Sequence, residues 1–223
     1  MLERARAARE AREARAAEQA HDPDDGWALT ASVPEVVVRD APDGDETHRL
    51  ANPNTTGAPL TFLLAADGAA TGEPGWYEVH LPVRPNGSTG WVAAADVDLA
   101  RVPYRLVMDV QGNELTLLED GMAVRVMPAA SGTGDTPTPT GLFFLTELLV
   151  PTNAGYGPYA YGLSAYSEVL TSFGGGPGQI GLHGTDDAGS VGRAVSHGCI
   201  RLSDDDITFL AETLPLGTPI EIA

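Results

Sequence analysis

The 223-residue chain has one cysteine and no lysine. A single cysteine excludes an intramolecular disulfide and a cysteine-based zinc finger. Without lysine, Schiff-base chemistry and a P-loop lysine are both excluded. No apolar run approaches the roughly 20 residues of a membrane span, so no integral span is expected. Basic residues are scarce: 13 Arg stand against 31 acids, a net charge of -18. Three Arg face thirteen acids in residues 21–100, and five face fourteen in 101–223. A nucleic-acid partner is disfavoured, because phosphate binding needs a basic face. Attraction to anionic lipid is disfavoured for the same reason.

What remains is enough for a folded protein. Apolar residues make up 43% of the chain and charged residues 20%, which allows a real core. Twenty-six Gly and seventeen Pro imply many turns and short elements, so a helical bundle is not expected. Residues 1–22 read as a helical charged tail. They are good helix formers with almost no large apolar side chain, so the helix has no face to bury. The mostly Ala apolar face excludes an amphipathic membrane helix. The missing apolar h-region excludes a signal peptide.

Residues 27–100 look all-β. Val36–Val38, Leu60–Leu64, Trp76–Leu81 and Gly90–Val92 are short apolar or alternating runs. Turn clusters at Asp40–Gly44 and Pro85-Asn86-Gly87 separate them. Gly75-Trp76-Tyr77-Glu78-Val79 followed by Gly90-Trp91-Val92 and Asp96-Val97 resembles bacterial SH3-type modules of cell-wall proteins. The resemblance implies a small SH3-like barrel.

Residues 101–223 form a second β-rich unit. Strands are expected at Arg105–Val110, Leu115–Leu118, Met122–Met127, Phe143–Leu145, Ile180–His183 and Ile220–Ile222. Residues 131–141 read as a loop, since prolines two apart forbid a regular ladder. Residues 151–178, rich in Gly, Pro and Tyr without periodicity, read as a long functional or disordered loop. Ser203 followed by three Asp opens a helix as N-cap, with acids at the positive end of its dipole.

The chemistry concentrates in Ile180-Gly181-Leu182-His183-Gly184-Thr185 and Ser196-His197-Gly198-Cys199-Ile200-Arg201-Leu202. A thiol that attacks at neutral pH needs a lowered pKa, which an imidazole or a helix N-terminus supplies. His183 ends a strand, where a side chain is held rigidly. Gly198 lets a substrate approach the backbone, and the N–H groups around Cys199 offer an oxyanion site. Arg201 is a fixed cation suited to a carboxylate. Together these parts describe a Cys–His acyl-transfer site. A metal site from His183, His197, Cys199 and Asp186 lacks the short spacings of common zinc sites. No metal and no cofactor is expected. His21, His48 and His80 have no such company.

The stretch His183-Gly184-Thr185 … Ser196-His197-Gly198-Cys199-Ile200-Arg201 resembles the signature of the L,D-transpeptidases of bacterial cell walls. Thr138-Pro139-Thr140-Gly141 and Leu216-Gly217-Thr218-Pro219-Ile220 resemble further segments of that family. The resemblance implies a β-sandwich of two mixed sheets with few helices over 101–223. It implies Cys199 as nucleophile, His183 as general acid/base and a backbone carbonyl near Gly184 orienting the imidazole. It further implies that Ser196, His197, Gly198 and Arg201 line the site, and that Tyr156, Tyr159, Tyr161 and Tyr166 belong to a substrate lid. The implied partners are peptidoglycan stem peptides, outside the cytoplasmic membrane in the cell wall or periplasm. An L,D-carboxypeptidase using the same site and a non-catalytic wall-binding protein are the alternatives. The oligomeric state is not readable.

Overall fold

A computed structural model describes residues 26–65, 75–172 and 175–223. The tail expected at 1–22 lies outside the described residues. The first β unit contains β1 (Gly26–Ala31), β2 (Glu35–Arg39), β3 (Glu46–Ala51), β4 (Thr61–Leu64), β5 (Trp76–His80), β6 (Thr89–Ala93) and β7 (Val97–Val102). They form one antiparallel sheet in the order β3-β2-β6-β5-β4-β1-β7. Alternation explains the burial: Val36 and Val38 of β2 point inward while Val37 does not. They meet Leu29, Phe62, Val79 and Val92 in a dry cluster. Three of the seven strands gave no clear signal. The strand β3, Glu-Thr-His-Arg-Leu-Ala, is a polar edge with no buried residue. The last strand, β7, runs past residue 100, where the sequence suggested a boundary.

The second unit contains β8 (Tyr104–Asp109), β9 (Glu114–Glu119), β10 (Met122–Pro128), β11 (Ser131–Gly132), β12 (Gly141–Leu149), β13 (Ala160–Tyr166), β14 (Gln179–His183), β15 (Ala194–Ser196), β16 (Ile200–Arg201), α1 (Asp204–Thr213) and β17 (Pro219–Ile222). Eight of these strands join in one mixed sheet, β10-β9-β8-β17-β12-β13-β14-β16, with β17 parallel to β8 and β16 parallel to β14. The two halves expected of a sandwich are linked through β12. Its first residues pair with β17, and from Leu145 on it pairs with β13. Leu106, Leu117, Leu163, Leu182 and Ile200 from both halves share one core with Ile207 and Leu210 of α1. Ser203 caps that helix by accepting from Asp206 N–H at 3.1 Å, as its sequence position implies.

One expectation fails here. The 151–178 segment is not a long loop, because it contains the interior strand β13. Its run Ala-Tyr-Gly-Leu-Ser-Ala-Tyr hides Leu163 and Tyr161 among small residues, which obscures the period. Tyr161 is 1% exposed, with its hydroxyl 3.1 and 3.0 Å from the carbonyls of Leu210 and Leu214. It ties β13 to the end of α1 and is no part of a lid. Tyr166 is not in a lid either. Its hydroxyl donates to the Pro82 carbonyl at 3.0 Å, and its backbone exchanges two hydrogen bonds with the Asn86 amide. Arg84 lies over its ring at 5.0 Å and donates to the Ser167 carbonyl at 2.9 Å. This seam fastens the first β unit to the far end of β13.

Candidate active site

The catalytic candidates meet where two short parallel strands run side by side. In β14, His183 pairs in register with Arg201 of β16, and Cys199 immediately precedes β16. Glycine makes room for them. A Cβ placed on Gly181 would stand 3.6 Å from His183 Cδ2 and 3.8 Å from Cys199 Sγ. The thiol and the ring therefore flank the same bare patch of β14. The Gly181 N–H points at Cys199 Sγ across 3.4 Å. Cys199, His183, His197, Arg201, Gly155 and Tyr156 line a cavity of about 100 Å³.

His183 is 4% exposed, and its Nδ1 is 2.6 Å from the Gly184 carbonyl oxygen. A carbonyl only accepts, so Nδ1 carries the proton. The neutral ring then keeps Nε2 as its acceptor. Burial lowers this imidazole to about 4, against the opposing pull of the Gly184 carbonyl and with help from the Arg201 charge. Burial pushes the Cys199 thiol up, opposed by the Gly181 N–H and by Arg201. Burial thus favours the neutral form of both groups, against the lowered thiol that the sequence suggested.

The turn before the thiol is braced from within. Gly198 has φ +117, and a Cβ there would meet Ile180 Cδ1 at 3.1 Å, so glycine is required. Its N–H donates to Ser196 Oγ at 3.0 Å, while Ser196 Oγ donates to the Cys199 carbonyl at 2.6 Å. Two expectations change as a result. Ser196, 1% exposed, spends its hydroxyl inside the turn and does not face a ligand. Gly198 N–H is committed and is not an oxyanion donor. His197 is exposed at the cavity rim. Arg201 lines the cavity, and its Nε is buried without a hydrogen-bond partner among the described residues.

Two contributors make contacts that the sequence did not reveal. Thr138 Oγ1 donates to the Gly198 carbonyl at 2.9 Å and accepts the Gly132 N–H at 2.8 Å. The Thr-Pro-Thr-Gly segment thus anchors the turn before Cys199 to the loop that precedes β12. Thr138→Val keeps the shape and removes both bonds. It is expected to cost about 1–3 kcal/mol by stranding two buried polar groups. The check is a fall in melting temperature, accompanied by slower acylation of Cys199. The second contributor is Tyr156, on a single 3₁₀ turn (Ala154–Tyr156) started by the Asn153 side chain. Its ring lies 4.5 Å from the His183 ring, tilted by 42°. Of the four tyrosines grouped as a lid, Tyr156 alone lines the cavity. Tyr159 packs against the core.

Among the described residues, no group of three or more His, Cys, Asp or Glu is placed to hold a metal ion. No helix among them is long and apolar enough to cross a membrane.

Comparison with known proteins gives a consistent family. Residues 103–222 match the YkuD model, described as an L,D-transpeptidase catalytic domain. The "Putative L,D-transpeptidase YkuD" of Bacillus licheniformis is 33% identical over 121 residues, 54% of this chain and 66% of that protein. Its namesake in Bacillus subtilis (strain 168) is 32% identical over 149 residues, 64% of this chain and 83% of that protein. Among solved structures, an L,D-transpeptidase from Mycobacterium tuberculosis H37Rv aligns at 22% identity with a TM-score of 0.45. That alignment covers 60% of this chain and 71% of the other.

Proposed function

Because the chain belongs to the L,D-transpeptidase catalytic domain family, we propose that it is a cysteine-dependent peptidoglycan L,D-transpeptidase. Cys199 is the nucleophile and His183 the proton carrier. The observation that carries this reading is the fixed tautomer. Nδ1–H is held by the Gly184 carbonyl, so Nε2 is the ring's free base in the cavity that also holds the thiol. Sulfur attacks the carbonyl of the third stem residue while Nε2 takes the thiol proton. The tetrahedral oxyanion is met by the N–H groups of the turn other than Gly198's, that of Cys199 first. Collapse breaks the bond to D-Ala, whose amine leaves with the proton from His183. The side-chain amine of a second stem then attacks the thioester, loses its proton to His183 and releases the thiol. The product links two third residues. Arg201, with a buried Nε that none of the described residues satisfies, suits the stem carboxylate.

The SH3-type resemblance of 75–97 supports wall contact by the first β unit. Since the substrate is outside the cytoplasmic membrane, the chain acts in the cell wall or periplasm.

The test is a tetrapeptide-donor assay with and without an acceptor stem peptide. The expected result is a thioester adduct on Cys199 by intact mass, D-Ala release, and a cross-linked product when acceptor is present. Release at the same rate with no cross-linked product would make the enzyme an L,D-carboxypeptidase. No adduct and no release would overturn the proposal.

A further inference from the structure

Four residues lie in one row across the sheet: Glu147 on β12, Gly162 on β13, Gly181 on β14, then Cys199. The register pairs Glu147 with Gly162 and Gly162 with Gly181. Gly181 N–H in turn meets the Cys199 sulfur at 3.4 Å. Residues directly opposed on antiparallel strands share a face. A Cβ on Gly162 would collide with Glu147 Oε1 at 2.0 Å and Gln179 Nε2 at 2.8 Å. A Cβ on Gly181 would stand 3.8 Å from Cys199 Sγ. Both glycines are partly exposed. The Glu147 carboxylate lies over Gly162, and the thiol lies beside Gly181. Opposed Cβ positions are about 4.5–5.5 Å apart, so the carboxylate oxygen lies within about 11 Å of the sulfur.

Glu147 is 5% exposed and opens into a cavity of about 230 Å³ between the two β units, which Asn54, Thr61, Tyr166 and Gln179 also line. Its hydrogen-bond donors are neutral amides, Gln179 Nε2 at 3.0 Å and Asn54 Nδ2 at 3.3 Å. No Arg or His among the described residues pairs with it. Thr61, 3% exposed, has a buried hydroxyl with no partner among the described residues. A buried carboxylate without a counter-charge, beside an unsatisfied hydroxyl, is completed by a ligand that brings a cation and hydrogen-bond donors.

We propose that this cavity reads the side-chain ammonium of the diamino acid whose carbonyl Cys199 attacks. The inference rests on the acyl-transfer reading of Cys199. An extended chain of about seven bonds, from sulfur through the acyl carbon to the distal nitrogen, spans about 8–9 Å. A hydrogen bond of about 2.8 Å completes the distance to Glu147. The amine of the acceptor stem cannot be what Glu147 holds, because it must come within about 3–3.5 Å of the thioester carbonyl. The row therefore fits the donor's own side chain, laid over Gly181 toward the carboxylate that covers Gly162. Its charge contacts Glu147 and Thr61.

The test compares two tetrapeptide donors, one with the free side-chain amine and one with that amine replaced by hydrogen. Thioester formation on Cys199 is followed by intact mass, and kcat/KM is measured for each donor. Wild type is expected to prefer the charged donor by about ten- to hundredfold, the range for a hydrogen bond to a charged group. In Glu147→Gln the preference should fall to near unity, with the loss appearing in KM for the charged donor alone. A merely structural role would slow both donors alike. Should Glu147→Gln not fold, Glu147→Asp, one methylene shorter, carries the same comparison. Equal rates for both donors on wild type, or an unchanged preference in a folded variant, would overturn the inference. A wild type that forms no thioester with either donor would instead overturn the acyl-transfer reading, and this inference with it.

Discussion

Cys199→Ala is expected to abolish thioester formation and D-Ala release while leaving the fold intact. The side chain is small, and its contacts are modest: a cavity that it only partly fills and one N–H from Gly181 at 3.4 Å. Replacing it leaves Gly181 N–H beside a cavity that water can enter, so the melting temperature should shift little. The chemical loss is of another size. Without the sulfur no covalent intermediate forms, and removal of a nucleophile from such a unit costs on the order of 10⁴–10⁶ in turnover. Intact-protein mass after incubation with a tetrapeptide donor, or with a carbapenem, separates the outcomes. Wild type should gain one adduct and the variant none. An adduct on Cys199→Ala would show that the acyl group rests on another residue. Circular dichroism on the same sample confirms that loss of labelling is not loss of fold.

The residues gathered at the candidate site were more legible than the fold around them. Cys199, His183 and Arg201 stand in a short signal, and they line one cavity. Strands with regular alternation or β-branched runs, such as Val36–Val38, were also legible. What could not be read has physical reasons. The strand β13 hides because Gly162, Ser164 and Ala165 are small, so its burial alternates as far as Leu163 while its side-chain hydrophobicity does not. Gly162 and Gly181 look like breakers in a sequence. Their role appears only when the register sets them opposite one another, between Glu147 and Cys199. Ser196 is a polar residue near the thiol, and such a residue invites a substrate role, whereas Thr138 lies far from it in the sequence. Distances show that their hydroxyls are spent on backbone groups of the turn before Cys199. The sign of the pKa shifts was beyond reach too. A neighbouring imidazole suggests a thiolate, but burial acts on both groups, and it favours the neutral form of each.

That last point sets the pH behaviour expected of His183 and of His183→Gln. With the imidazole lowered to about 4, Nε2 stays a free base through the whole neutral range. The acylation rate of wild type should climb through pH 4–5 and then level off, instead of reaching half its maximum near the ordinary histidine value of 6.5. It should rise again only at alkaline pH, where the raised thiol begins to ionise. His183→Gln loses the base, and with it a factor of about 10²–10⁴ at neutral pH. Its residual rate should have no acid limb and should increase with pH, since hydroxide then has to do what Nε2 did. Stability also falls on acidification. Between pH 6.5 and 4 the unfolded chain binds a proton at this position and the folded chain does not, so acidification favours unfolding. For a shift from 6.5 to about 4, the neutral ring's contribution is present above pH 6.5 and up to about 3 kcal/mol of it is lost on descending to pH 4. Glutamine has nothing to titrate, so the variant should lose less stability than wild type over that interval, as read by urea unfolding at several pH values. His197, exposed at the rim, should leave a measurable rate when replaced by alanine. A folded His197→Ala without activity, beside an active His183→Gln, would move the base from His183 to His197.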